Sequence, residues 1–139
     1  MLEEYYKYKT NYSEYIIIIK SGNFYEAIDK DALIVNKLFK YKITKLSDTI
    51  KCGFPITCIE KVIKVLNEHN INYIVVEKND ITINKSFEEN SYNEFEFDIN
   101  NIKYNFFRIN KISKYLNDNA FNNINTLLDE MERLINERG

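Results

Sequence analysis

An uninterrupted run of β-branched side chains near the N-terminus is the feature that most restricts the fold. Residues 16–19 are four consecutive isoleucines, preceded by Tyr15 and followed by polar residues. Such a run predicts a buried strand, because β-branched side chains pack well on a pleated sheet. Ser21-Gly22-Asn23 then has turn chemistry, and residues 24–28 resume as a second short strand. The two strands are therefore predicted to form a hairpin.

Helical and strand patterns alternate along the first 85 residues. Apolar side chains at three- and four-residue spacing predict helices near residues 2–12, 29–39 and 57–72. Further strands are predicted at 41–46, 50–53, 73–76 and 81–83. Asp29 or Asp31 is the predicted N-cap of the second helix, and Thr57 with Glu60 has capping-box spacing for the third. The alternation predicts an α/β domain at residues 1–85, with a mixed β-sheet flanked by helices.

The last third of the chain has a different pattern, and two structures fit part of it. Residues 95–106 alternate as a hairpin would, around Asn100-Asn101. The same stretch has apolar side chains at helical spacing that continues to residue 116, and we favour the helix for that reason. A second amphipathic helix is predicted at 121–138. Residues 86–139 are thus a predicted helical extension, which folds back on the sheet or pairs with a second copy.

The composition argues against catalytic and metal sites. Three glycines do not build a phosphate loop, and the single histidine, His69, lies at a predicted helix end without a nucleophile nearby. Cys52 and Cys58 lack the number and spacing of ligands that zinc needs. We therefore predict that the chain is not an enzyme and holds neither a cofactor nor a metal. The N-terminus lacks an apolar signal region and no run is long enough for a membrane span, which predicts a cytoplasmic location.

Charge is distributed unevenly along the chain. The net charge of −2 does not favour a nucleic-acid partner, but residues 1–33, 34–85 and 86–139 carry net charges of −2, +4 and −4. The basic middle third fits a surface that meets phosphates on one side only. It fits equally well a set of lysines on solvated helix faces.

The second strand of the hairpin carries an unusual pair of side chains. Alternate residues of a strand share a face, so Phe24 and Glu26 project together while Tyr25 points into the core. An exposed phenylalanine beside an acceptor carboxylate suits a binding role. The other interpretation is that Phe24 packs under the following helix and Glu26 is a solvated edge residue.

Several short motifs of this sequence, and the order in which they follow one another, resemble the N-terminal mismatch-recognition domain of the MutS family. That domain has a Gly-Asp-Phe-Tyr-Glu turn and strand, a helix opening with Asp-Asp-Ala, a later strand and loop, a Gly-Ile-Pro segment before a helix, and a further strand. The matching segments here are Gly22-Asn23-Phe24-Tyr25-Glu26, Asp31-Ala32, Ile43-Thr44-Lys45, Gly53-Phe54-Pro55 and Tyr73–Glu77. The resemblance covers residues 5 to 78. Asn23 departs from the family's aspartate, and the loop between Lys45 and Gly53 is shorter than in the family.

The resemblance implies a DNA-binding module. In that family the phenylalanine enters the minor groove and stacks on a mispaired or unpaired base, and the glutamate hydrogen-bonds the same base. Phe24 and Glu26 are the residues that carry over, with Lys45 and Lys51 as weaker candidates for phosphate contacts. The implied partner is double-stranded DNA with a mismatch or another distortion.

No segment resembles the family's connector, lever, clamp or ATPase domains. Without the phosphate contacts of those domains, we expect the isolated module to bind DNA with micromolar or weaker affinity. We expect it to act as a homo-oligomer or with a mismatch repair protein that carries a clamp and an ATPase. The alternative function is a protein-interaction or accessory module that keeps the fold without autonomous DNA binding and uses its helical extension.

Overall fold

The computed structural model describes residues 1–139 and contains one six-stranded sheet with five helices. The strands in chain order are β1 (Ile16–Ser21), β2 (Phe24–Ile28), β3 (Ile43–Leu46), β4 (Thr49–Pro55), β5 (Tyr73–Glu77) and β6 (Asp80–Lys85). The helices are α1 (Leu2–Asn11), α2 (Asp29–Phe39), α3 (Ile59–Glu68), α4 (Ile99–Asp118) and α5 (Asn125–Arg138). Short 3₁₀ turns lie at Ile56–Cys58 and Tyr92–Glu94.

The predicted fold class is confirmed, because the sheet is mixed and helices flank it. Its strand order is β3-β4-β2-β1-β5-β6. The β1–β5 pair is parallel and the other neighbours are antiparallel. The isoleucine run lies in β1, inside the sheet, and all four side chains are buried. No helix is long and apolar enough to cross a membrane.

The strand register separates two faces of the sheet. One face carries a buried cluster that includes a tyrosine of α1, and its members are Tyr5, Ile17, Ile19, Ile28, Ile74 and Val76. The opposite face carries Tyr25, whose ring packs against Phe54 with centroids 5.7 Å apart. Tyr41 stacks on Phe54 and on Phe39 at the end of α2, which extends the aromatic contacts.

Both predicted helix caps are wrong. The N-cap of α2 is Ile28, with no side-chain cap, because the carboxylates of Asp29 and Asp31 bond to other elements. The N-cap of α3 is Cys58, also without a side-chain cap. The chain leaves β4 directly into the Ile56–Cys58 turn, so Thr57 lies inside that turn and not at the N-cap.

The chain divides into two compact units, Met1–Lys103 and Tyr104–Gly139. The helical interpretation of the last third is correct in type, but α4 starts at Ile99, after Phe95 and Phe97. The second of these helices also starts later than predicted, at Asn125, and leaves Phe121 fully exposed.

Candidate functional site

The hairpin between β1 and β2 places Phe24 at the surface and Tyr25 in the core. Gly22, with φ of +61°, adopts the left-handed conformation that the tight turn requires. Phe24 is 49% exposed, whereas Tyr25 is only 5% exposed. The Tyr25 hydroxyl donates to Glu77, and burial together with this bond raises the pKa of Tyr25 to about 12. Phe24 therefore does not pack under α2.

Phe24 is held on both sides by neighbouring strands. It pairs with Ser21 of β1 and with Pro55 of β4. The turn before it is also anchored, since the Ile56 amide donates to the Asn23 carbonyl at 3.0 Å. The exposed ring thus projects from a backbone that lies between two strands.

Glu26 shares the face of Phe24 but is mostly enclosed. Its side chain is only 12% exposed, and its strand partner in β4 is Gly53. Lys51 Nζ donates to Oε1 of Glu26 at 3.1 Å. The other carboxylate oxygen, Oε2, is buried and has no hydrogen-bond partner. A buried acceptor without a partner costs free energy until a donor reaches it.

A shallow depression of about 290 Å³ surrounds these side chains. The lining residues are Phe24, Glu26, Lys42, Thr44, Lys51 and Gly53. Thr44 pairs with Lys51 in the β3–β4 register, so both lie on the face of Glu26. The site therefore combines an aromatic ring, a carboxylate and two ammonium groups on one face of the sheet.

The structure brings three of the four predicted site residues together. Phe24, Glu26 and Lys51 line the depression, whereas Lys45 pairs with the buried Ile50 and lies on the other face. Sequence reasoning missed Lys42 and Thr44. The sequence pattern that could have found them is the alternation of side chains around the buried Ile43, because both neighbours of Ile43 point to the opposite face of the strand.

A buried carboxylate anchors the elements next to the site. Asp31 is fully buried and accepts hydrogen bonds from the Tyr5 and Tyr92 hydroxyls, from Lys9 and from the Ile17 amide. These donors come from α1, β1 and the 3₁₀ turn at Tyr92–Glu94. Burial and the adjacent Asp31 charge raise the pKa of Tyr5 and of Tyr92 well above the usual tyrosine range.

A second carboxylate lies directly after β2. Asp29 has a φ of +54° and accepts from Thr49, from the Tyr6 hydroxyl at 2.9 Å and from Lys103 at 2.8 Å. Partial burial opposes its ionisation, but the bonds from Lys103, Thr49 and Tyr6 outweigh burial and lower the pKa of Asp29. These contacts fix the junction between β2 and α2, three residues after Glu26.

Comparison with known families agrees with the observed fold. A model of the family described as MutS domain I matches residues 1–103, about three quarters of the chain. The chain therefore belongs to the MutS domain I family.

Among curated proteins, similar relatives are DNA mismatch repair proteins MutS. The chain is 34% identical over 68 residues to the protein of Thermotoga neapolitana. The aligned residues are 49% of this chain and 8% of that protein. It is 30% identical over 78 residues to the protein of Fervidobacterium nodosum, and the aligned residues are 56% of this chain and 10% of that protein. The protein of Borreliella afzelii is 33% identical over 66 residues, which are 48% of this chain and 8% of that protein. The matched region thus spans about a tenth of the length of these relatives.

Proposed function

We propose that the chain recognises mismatched, bulged or otherwise distorted duplex DNA through Phe24 and Glu26, in the context of DNA mismatch repair. Phe24 acts as an apolar wedge at a destabilised base step. Inserting such a wedge unstacks the step and kinks the duplex at a cost of a few kcal/mol. A mismatched or unpaired base is already poorly stacked, so it opens at a lower cost than a paired one. The preference for defective over fully paired duplexes then follows from how easily the DNA deforms, with little recognition of the base sequence.

The observation that carries the proposal is the unpartnered Oε2 of Glu26 beside the exposed ring of Phe24. Lys51 occupies Oε1 and leaves Oε2 to accept from an N–H on the edge of a displaced base. An intact duplex presents phosphates, which the carboxylate repels. The same group therefore favours a displaced base and disfavours ordinary backbone.

Lys42 and Lys51 are the proposed phosphate contacts near the wedge. Both line the depression with Phe24, so a duplex that receives the ring brings its backbone close to them. Lys45 lies on the other face of the edge strand β3, so any phosphate contact that it makes is more peripheral than those of Lys42 and Lys51. The function needs no catalytic group, and we propose a binding module in the cytoplasm, working with further mismatch repair components.

The experiment is a fluorescence anisotropy titration at low salt with three duplexes of one length: fully paired, with one G·T mismatch, and with a one-base bulge. The chain should bind the two defective duplexes more tightly, and Phe24→Ala should abolish that preference. Phe121→Ala is the matched control, because it removes an equally large ring that is fully exposed in the other unit. Equal, weak binding of the wild type to all three duplexes would overturn the proposal.

A protein-interaction function is the second candidate. Both helices of the extension lack buried side chains, and several large apolar residues there are exposed. This surface points to a partner, which is compatible with DNA recognition by the other unit.

A further inference from the structure

Lys51 and Glu26 form an ion pair in the wall of the depression beside Phe24. Nζ of Lys51 lies 3.1 Å from Oε1 of Glu26, while Oε2 is buried without a partner. The pair joins β4 to β2, where Gly53 is the strand partner of Glu26. A Cβ built on Gly53 would lie 3.5 Å from Cγ of Glu26, so the glutamate side chain lies close against the backbone of β4.

The two members of the pair differ in how far they reach solvent. The side chain of Lys51 is 28% exposed, against 12% for Glu26. Lysine carries its charge at the end of a flexible four-carbon chain, so this ammonium can turn outward. The carboxylate cannot follow it, because the shorter glutamate side chain packs against β4. A DNA phosphate stays outside the depression, so a close contact with Lys51 draws the ammonium away from Oε1.

This movement changes the number of partners that the carboxylate keeps. In the free chain one oxygen of Glu26 is bonded and the other is not. If Lys51 left, both oxygens would be without a partner, and an enclosed charge in that state is strongly unfavourable. A displaced base that donates an N–H to Oε2 keeps one oxygen bonded. The departure of Lys51 is then much less unfavourable.

We propose that Lys51 is a specificity-determining residue, whose ammonium contacts a DNA phosphate only when a displaced base bonds the carboxylate of Glu26. The inference rests on the proposed recognition of distorted DNA. A fully paired duplex brings no donor to Oε2, so Lys51 stays on Glu26, whereas a bulged duplex gains one phosphate contact. Lys42 also lines the depression but is in no ion pair, so it contributes to both kinds of duplex alike.

The salt dependence of binding tests the proposal, because it counts phosphate contacts. Each contact steepens the dependence of the logarithm of the binding constant on the logarithm of the salt concentration by about 0.9. Anisotropy titrations of the full chain should therefore give a dependence steeper by about 0.9 for a one-base bulge than for the fully paired duplex of the same length. From about 50 to 200 mM salt, the ratio of the two affinities should fall about three- to fourfold.

Three variants isolate the contribution of Lys51. Lys51→Met should equalise the two salt dependences, because the bulged duplex loses the extra contact. Glu26→Gln should equalise them in the opposite way, because the neutral amide no longer holds the ammonium and the paired duplex gains the contact. Lys61→Ala removes an exposed lysine of α3 outside the depression and should keep the wild-type difference. Circular dichroism checks that each variant is folded.

A second measurement leaves the protein unaltered. Phosphates on either side of the bulge are replaced, one at a time, by neutral methylphosphonates. At one position the replacement should weaken binding of the wild type to the bulged duplex and leave binding by Lys51→Met unchanged. The same replacement in the fully paired duplex should leave binding of the wild type unchanged.

The outcomes separate this inference from the proposed function. A wild type that prefers the bulge but has equal salt dependences for the two duplexes would overturn the role of Lys51 alone. A Lys51→Met variant that keeps the wild-type difference, or a bulged duplex in which no single methylphosphonate weakens binding, would do the same. A wild type without preference for the bulge would overturn the proposed function, and this inference with it.

Discussion

Lys51 donates to only one of the two carboxylate oxygens of Glu26, at 3.1 Å, and leaves the other buried without a partner. The pair therefore orients the carboxylate while keeping one acceptor unused. An acceptor in that state is ready for a donor that reaches the depression beside Phe24.

Glu26→Gln should narrow the difference in affinity between bulged and fully paired duplexes about tenfold, equivalent to about 1.4 kcal/mol. The amide no longer repels phosphates, so the paired duplex binds more tightly, and the charged acceptor for the displaced base is lost. Anisotropy titrations of both duplexes measure the change. An unaltered ratio would remove Glu26 from the recognition mechanism.

Lys51→Met should lower the free energy of unfolding by about 1–3 kcal/mol, because it leaves a largely enclosed carboxylate with no partner. Adding Glu26→Gln should recover part of that loss, since the buried charge is removed. Urea unfolding of both single variants and the double variant measures the coupling, which should be at least about 0.5 kcal/mol. Simple additivity would mean that the ion pair contributes nothing to stability.

Lys42→Ala should weaken binding to all duplexes alike and reduce the salt dependence of affinity. The slope of the logarithm of the binding constant against the logarithm of the salt concentration is negative, and removing one phosphate contact reduces its magnitude by about 0.9. Lys61→Ala, an exposed lysine of α3 outside the depression, is the matched control and should leave the slope unchanged. Lys45→Ala should have the smaller effect expected of a peripheral contact. Equal slopes for Lys42→Ala and wild type would contradict the proposed backbone position.

Alkaline pH should destabilise the fold more steeply in the wild type than in Tyr92→Phe. The pKa of Tyr92 is raised on folding by burial and by Asp31, so the unfolded chain loses this proton first, near pH 10. Stability due to Tyr92 is therefore fully present below about pH 10 and falls above it by up to about 1.4 kcal/mol per pH unit. Urea unfolding from pH 9 upward measures the slope, referenced to each protein's own stability at neutral pH. Parallel pH profiles would argue against a buried, protonated Tyr92.

Strand periodicity predicted much of the site. The alternation of Phe24, Tyr25 and Glu26 is correct as observed, because a side-chain period of two is a local property of any strand. The buried position of the isoleucine run follows equally from local pattern. The presence of helices in the last third also follows from spacing, although Phe95 and Phe97 precede α4.

What the sequence did not predict depends on contacts between distant residues. Asp31 has the local pattern of a helix cap, but its carboxylate accepts hydrogen bonds from donors in three separate elements. Lys42 and Thr44 join the site only because β3 pairs with β4, and Lys45 is excluded from the depression by the same register. The enclosed oxygen of Glu26 likewise depends on packing that no local pattern encodes.

The strands on both sides of Phe24 and the Ile56–Asn23 bond make Phe24 the stiff member of the proposed complex with DNA. Little backbone freedom remains to be lost there on binding, so ordering the protein contributes little to the difference between one duplex and another. The energy of bending falls almost wholly on the DNA. Lesions should then rank by how easily the duplex yields at that step, whatever their chemical identity.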